Sequence, residues 1–216
     1  MSSLIRRLDE ILFGKFKRQY ETLLAHEILP SCQTLLDVGC GSNSQVRAFS
    51  RKMMRTMGVD GYAPSIEKSR AAGIHSDYAE LNILEIADRF EANSFDCVLA
   101  SDVIEHLEKN DGLKLMRDME RVARKKVIIF TPNGFLPQGA YGGNEYQIHL
   151  SGWEIDEMQG YGYRIIGVNG WKPLRGELAY PRFRPYSLCT RISFLTQPFV
   201  QHNPHRAFQI LCIKDI

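Results

Sequence analysis

Three carboxylates and one glycine turn stand at spacings that could hold a small charged ligand. In Leu36-Asp37-Val38-Gly39-Cys40-Gly41-Ser42-Asn43, Gly39 and Gly41 let the backbone turn tightly and come close to a ligand. A helix starting behind such a turn presents free N–H groups to a carboxylate or phosphate. Position 44 is Ser, so the third glycine of the dinucleotide fingerprint is missing. Asp37, just before the turn, offers nothing to a pyrophosphate, whereas an ammonium group gains from its field. Asp60 follows Gly39 by 21 residues, and a carboxylate at a second strand end can accept both hydroxyls of a ribose. Asp77 is followed by Tyr78, and an acceptor beside a flat ring suits an adenine. Each aspartate alone can equally cap a helix or turn a strand. Three at successive strand ends are harder to read that way.

The elements that must position these residues alternate. Residues 34–38, 57–60, 74–78, 95–100, 127–131, 163–168 and 207–213 read as short apolar or extended runs. Between them, residues 44–54, 64–72, 111–123 and 187–196 carry the three-to-four spacing of helices, with a loop or short helix over 81–90. Ser151 and Glu154 form a capping box for a helix from Gly152, stopped by Gly160 and Gly162. Residues 3–29 carry Leu4, Ile5, Leu8, Ile11, Leu12, Phe16, Tyr20, Leu23, Leu24 and Ile28 at helical spacing, with a break near Gly14 and a stop at Pro30. Strand–helix repetition predicts an α/β fold, a doubly wound, mostly parallel sheet with helices on both faces. The glycine- and proline-rich stretch after Pro132 reads as a long loop, usually mobile or functional at that length.

With 216 residues, 44% hydrophobic and 24% charged, the chain suits one domain with a real core. A net charge of +2 supplies no strong pull on a polyanion such as DNA or RNA. From Trp171 onward seven Lys or Arg stand against two acids. That bias reads as attraction for an anionic substrate or membrane headgroups, or simply as a solvated face. Arg6, Arg7, Asp9 and Glu10 break any export signal, and no run reaches the length of a membrane span. The five cysteines, 32, 40, 97, 189 and 212, show no metal-ligand spacing. The expectations are a cytoplasmic protein, reduced thiols and no metal.

The segments around the aspartates resemble the motifs of class I S-adenosylmethionine-dependent methyltransferases. Val38-Gly39-Cys40-Gly41 is similar to the family's first motif and Gly58-Val59-Asp60-Gly61-Tyr62 to its ribose-binding strand end. His75-Ser76-Asp77-Tyr78 is similar to its adenine-side motif. The run from Phe95 through Ser101-Asp102-Val103-Ile104-Glu105-His106-Leu107 resembles its fourth-strand segment, and Val127 to Asn133 its fifth strand. The resemblance covers about residues 34–168 motif by motif. It implies a seven-stranded sheet whose last strand, 208–213, is an antiparallel edge, and S-adenosyl-L-methionine as cofactor. It places Gly39, Cys40 and Gly41 at the methionine moiety with Asp37 acting through the loop. Asp60 and Gly61 fall at the ribose, Asp77 and Tyr78 at the adenine, and Ser101 and Val103 over the cofactor. Residues 1–30 become a helical lid carrying Tyr20, and residues 132–150 with 170–186 become acceptor-side loops of a single domain, 1–216.

Methyl transfer from a sulfonium needs mainly alignment, with a base only where the acceptor loses a proton. The candidates are His149, next to the long loop, His106 after the fourth strand, and Glu145. His106 also reads as a packing residue and His149 as a loop histidine bonding backbone. Arg175, Arg182 and Arg184 suit an anionic acceptor or face water. Tyr180, Phe183 and Tyr186 line an apolar acceptor site or pack beneath the last helix. The expected acceptor is a small molecule, sugar, quinone or lipid, anionic or amphiphilic, methylated at oxygen or nitrogen, by a monomer or homodimer. Ser101-Asp102-Val103-Ile104 stands where DNA-base methylases carry an Asn/Asp-Pro-Pro-aromatic signature, which argues against DNA. The rival readings are a nicotinamide-dependent oxidoreductase, a non-catalytic S-adenosylmethionine-binding protein and an RNA-directed methyltransferase.

Overall fold

Five hydrophobic runs, buried on both faces, make the middle of this molecule. The computed structural model describes residues 19–140, 145–176 and 179–216; most of the expected N-terminal helix lies outside them, apart from α1 (Gln19–Ile28). The strands are β1 (Thr34–Val38), β2 (Arg55–Asp60), β3 (Asp77–Glu80), β4 (Phe95–Ser101), β5 (Ala123–Pro132), β6 (Arg164–Trp171) and β7 (Ala207–Asp215). They form one sheet in the order β3-β2-β1-β4-β5-β7-β6. The pairs from β3 to β5 are parallel, while β7 runs antiparallel to both β5 and β6. The last strand is therefore not the edge that the resemblance implied. It is inserted between β5 and β6, and β6 forms the edge.

Alternation along the strands divides the core in two. Leu36, Val38, Val98, Ala100, Val127 and Ile129 point to one face, under Leu115, Met116, Met119 and Val122 of a long helix. Leu35, Cys97, Leu99, Ile128 and Phe130 point to the other, under Leu24 and Ile28 of α1. Each such large apolar side chain contributes about 1.5–3 kcal/mol by leaving water. The helices after α1 are α2 (Ala63–Ala71), α3 (Ile86–Arg89), α4 (Lys109–Val122), α5 (Ile155–Gly160), α6 (Tyr186–Leu195) and α7 (Gln197–His202). None of the described helices is long and apolar enough to cross a membrane.

Three expectations are corrected. Residues 44–54 are not one helix but two 3-10 turns, Gln45–Ala48 and Ser50–Lys52, because Phe49 leaves helical geometry between them. The third strand begins at Asp77, so Asp77 opens it rather than closing it; Ile74 and His75 are buried in the approach to it. The Ser151 capping box does not form. Its hydroxyl donates to the Ile104 carbonyl and accepts from Trp153 Nε1, and α5 starts only after Glu154.

Candidate functional site

The strand order reverses between β1 and β4, and a ligand crevice in such sheets opens at the carboxyl ends there. A cavity of about 710 Å³ opens at this place, walled by Gly39, Gly41, Asp60, Gly61, Leu81–Leu84, Asp102, Val103, His106 and Leu107. That volume lies within the range of small-molecule sites. Both turn glycines hold left-handed backbone, with φ of +67° at Gly39 and +58° at Gly41. A Cβ on Gly39 would meet Val103 Cγ2 at 2.6 Å, whereas one on Gly41 would meet nothing within 4 Å. Gly39 thus lets the fourth-strand segment pack, and Gly41 keeps space open. Asp60 ties the rim together: Oδ2 accepts from Gly41 N at 2.9 Å and Oδ1 from Tyr62 N at 2.8 Å. Its carboxylate retains lone pairs for further donors. Burial raises its pKa, against the two backbone N–H donors that lower it.

The other expected cofactor residues divide. Val103 and Gly61 line the cavity. Asp37 is buried beneath the turn, accepting from Ser44 Oγ and lying 3.2 Å from His75 Nε2, so it braces the loop from below. Cys40 is buried with its N–H on the Val59 carbonyl, and its thiol is pushed up by burial. Ser101 is bonded to Tyr20 at 2.7 Å, and Tyr20 stacks on Phe130 with ring centroids 3.8 Å apart. Burial raises the Tyr20 phenol well above its usual range. The helix α1 therefore closes on the end of β4 through a hydroxyl pair. Asp77 and Tyr78 do not join the site. Asp77 is an exposed partner of Arg55 at 3.2 Å, and the Tyr78 hydroxyl accepts from His75 N and Ser69 Oγ. The end of β3, Glu80, and the following Leu81 and Asn82 take that side of the cavity instead.

Beyond β4 the chain gathers titratable groups. Asp102 lines the cavity with a left-handed φ of +52°, which a non-glycine residue adopts only under constraint. Gln209 Nε2 donates to its Oδ1 at 2.8 Å and is itself held by Asn169 Nδ2. Burial raises the Asp102 carboxyl to about 7 and Glu105 well above its usual range. Glu105 Oε2 accepts from Thr131 Oγ1 at 3.0 Å, buried Oε1 has no partner of hydrogen-bond geometry among the described residues, and the carboxyl lies against that of Asp102. The Glu105 carbonyl accepts from Leu150 N and Ser151 N, which fastens the loop carrying His149 to the end of β4.

His106 and His149 then face each other, ring centroids 4.7 Å apart. Nδ1 of His106 lies 3.2 Å from the Ile148 carbonyl and Nδ1 of His149 lies 2.6 Å from the Leu136 carbonyl. A carbonyl only accepts, so these contacts assign the proton to Nδ1 in the neutral rings, and the Asp102 and Gln147 carbonyls also lie against the His106 ring. Burial lowers His106 to about 4 and lowers His149 as well. His106 lines the main cavity and His149 a neighbouring one of about 330 Å³ with Phe135, Pro137, Gln138 and Gly139. Glu105, His106 and His149 each bring one ligand atom within 4.8 Å of the others, a donor set suited to a divalent cation and one that cysteine spacing could not reveal. Glu145 opens the turn Glu145–Gln147, whose Tyr146 and Gln147 reach the main cavity. Asp102, Gln209 and Asn169 were missed. Asp102 carried one signal, its place straight after a buried strand; the other two meet it only through the antiparallel insertion of β7.

Residues 36–131 match the model of the methyltransferase domain family. A ubiquinone biosynthesis O-methyltransferase of Nitrobacter winogradskyi is 35% identical over 77 residues, 34% of this chain and 28% of that protein. A small RNA 2'-O-methyltransferase of Tetrahymena thermophila is 22% identical over 200 residues, 76% of this chain and 46% of that protein. These alignments thus span about a quarter to a half of the curated relatives. The crystal structure of an S-adenosylmethionine-dependent methyltransferase from Archaeoglobus fulgidus shares the fold, with a TM-score of 0.58 at 15% identity over 95% of this chain and 98% of that one. The strand order and the crevice at the switch point are those of the class I S-adenosylmethionine-dependent methyltransferase fold, and within it residues 36–131 match the methyltransferase domain family.

Proposed function

We propose that the protein transfers the methyl group of S-adenosylmethionine to a hydroxyl of a small-molecule acceptor. The observation that carries this is the contact between His106, which lines the main cavity, and His149, which lines the neighbouring one, both rings kept neutral by burial and both Nδ1 atoms set against backbone carbonyls. In this reading the ribose hydroxyls sit on Asp60 and the adenine lies along Leu81–Leu84. The methionine end follows Gly39 and Gly41, in the field of Asp37. The acceptor enters between His106 and Tyr146. Nε2 of His106 or His149 takes the hydroxyl proton. The oxygen then bonds to the methyl carbon while the carbon–sulfur bond breaks, its electron pair going to sulfur. Alignment supplies most of the rate and the base the rest. The ubiquinone-pathway relatives are O-methyltransferases by name, which supports oxygen as the target and a quinol-like acceptor class.

One observation favours a second reading of the same residues. Glu105, His106 and His149, each with one possible ligand atom within 4.8 Å of the others, also suit a divalent cation, which would polarise the acceptor oxygen in place of a protein base. Calorimetry with S-adenosylmethionine and, separately, with NAD tests the cofactor; binding of NAD alone would overturn the proposal. Turnover on a catechol or quinol panel then tests the acceptor. Turnover lost to a chelator and restored by Mg²⁺ or Mn²⁺ selects the cation, and turnover indifferent to chelation selects the base.

A further inference from the structure

Between β6 and β7 the chain inserts α6 and α7, and this insertion carries a surface unlike the rest of the molecule. Half of the large apolar side chains exposed among the described residues fall between positions 180 and 199. Leu188, Ile192 and Leu195, spaced four and three apart, share the outer face of α6, while Cys189 and Ser193 are buried on its inner face. Phe183 and Tyr186 precede them and Phe199 follows on α7, all at least half exposed. Tyr180, Phe183 and Tyr186 are exposed, so they neither pack beneath the last helix nor line the cavity, the two places expected of them. Residues 179–203 contain no Asp or Glu, yet Arg182 and Arg184 stand exposed among the rings, with the Arg184 guanidinium 5.5 Å from the Tyr186 ring centre. Arg175 is different: it is spent inward, on Ser193 Oγ and the Ala179 carbonyl.

We propose that this face docks on an anionic lipid surface, with the apolar stripe of α6 entering the interface and Arg182 and Arg184 meeting phosphate headgroups. A helix face that leaves an aliphatic stripe in water, with exposed rings and arginines in the chain beside it, has the composition that enters a headgroup layer, and arginine stems lie along apolar surface while their heads reach phosphates. A second copy of the chain fits the same face poorly. A two-fold contact sets a patch against itself, which would bring arginines together with no carboxylate from 179–203 to separate them. The insertion is also tied to the first helix. Gln201 of α7 accepts from Gln19 Nε2 at the start of α1, and the neighbouring Tyr20 is bonded to Ser101 at the end of β4.

Co-sedimentation of the full chain with phosphatidylcholine vesicles, with and without phosphatidylglycerol, tests this independently of any methyl transfer. The expected result is binding at least about tenfold stronger to the anionic vesicles, weakening as salt rises. Leu188→Glu with Ile192→Glu should abolish it, and Arg182→Ala with Arg184→Ala should reduce it about tenfold or more. All four side chains are exposed, so thermal unfolding of the variants should match the parent. No preference for anionic vesicles, or equal binding by both variants, overturns the proposal. A parent that sediments as a dimer without binding vesicles, and becomes monomeric in the Leu188→Glu, Ile192→Glu variant, assigns the face to a second copy instead.

Discussion

Asp60 has two duties that a single substitution separates from the rest of the site. Its oxygens hold the N–H groups of Gly41 and Tyr62, and the same carboxylate faces the cavity. Asp60→Ala should weaken S-adenosylmethionine binding at least about tenfold, a loss of about 1.4 kcal/mol, by calorimetry. His149→Ala should behave oppositely, with most turnover on the true acceptor lost and cofactor affinity kept, because its ring lies in the neighbouring cavity; steady-state kinetics beside calorimetry checks both halves. At this scale the sequence was readable where backbone geometry dictates the residue. Gly39 and Gly41 need positive φ, and Asp60 closes a strand directly after a buried run. Asp77 misled because it stands next to an aromatic but three positions before its strand ends. Glu105 was unreadable as a neighbour of both histidines, since His149 reaches it only where the 149–151 loop folds back onto the end of β4.

Turns and short helices are where pattern reading gave way to competition for hydrogen bonds. Residues 44–54 have helical spacing, but Ser44 spends its hydroxyl on Asp37 and on Val46 N, and the chain takes two tight 3-10 turns. Ser151 likewise answers to Ile104 and Trp153 rather than to a helix of its own. Long elements withstood such competition: α4 and the strands β1, β2, β4 and β5 fall within a few residues of their expected places, because each buries a continuous apolar stripe. The glycine turn gives an element-scale test. In Gly39→Ala the methyl group meets Val103 and the left-handed backbone is strained, which together cost about 2–4 kcal/mol and about 5 °C or more of melting temperature. Gly41→Ala carries only the backbone strain, about 1–2 kcal/mol. Its methyl group has open space around it, so its larger effect should be lost cofactor affinity. Differential scanning calorimetry with and without S-adenosylmethionine separates the two variants.

For the molecule as a whole, pH acts through the carboxyl that β7 encloses. Asp102 is raised by burial to about 7, above the roughly 3.9 of an unfolded aspartate. The native state therefore keeps a proton that the unfolded chain releases, and this stabilisation is lost as pH rises from about 4 to 7. Asp102→Asn removes that loss while keeping an oxygen for Gln209. Its stability relative to the parent should grow across that interval and level off above it, as read by urea unfolding at a series of pH values. Glu105, raised by burial and by the Asp102 charge, adds to the same trend and relaxes in part in Asp102→Asn, while His106, lowered to about 4, acts in the opposite sense in both proteins. The doubly wound sheet was readable from strand–helix alternation, whereas the place of β7 was not, since an apolar run near the end of a sequence says nothing about which neighbours it separates. That placement governs assembly. β5 and β6 never pair with each other and must both wait for a strand synthesised after them. Until residues 207–215 arrive, each offers a row of unsatisfied backbone groups to any passing chain. The folding intermediate most prone to aggregate is therefore the one lacking only β7, and its rescue lies in how quickly that strand slides into the gap.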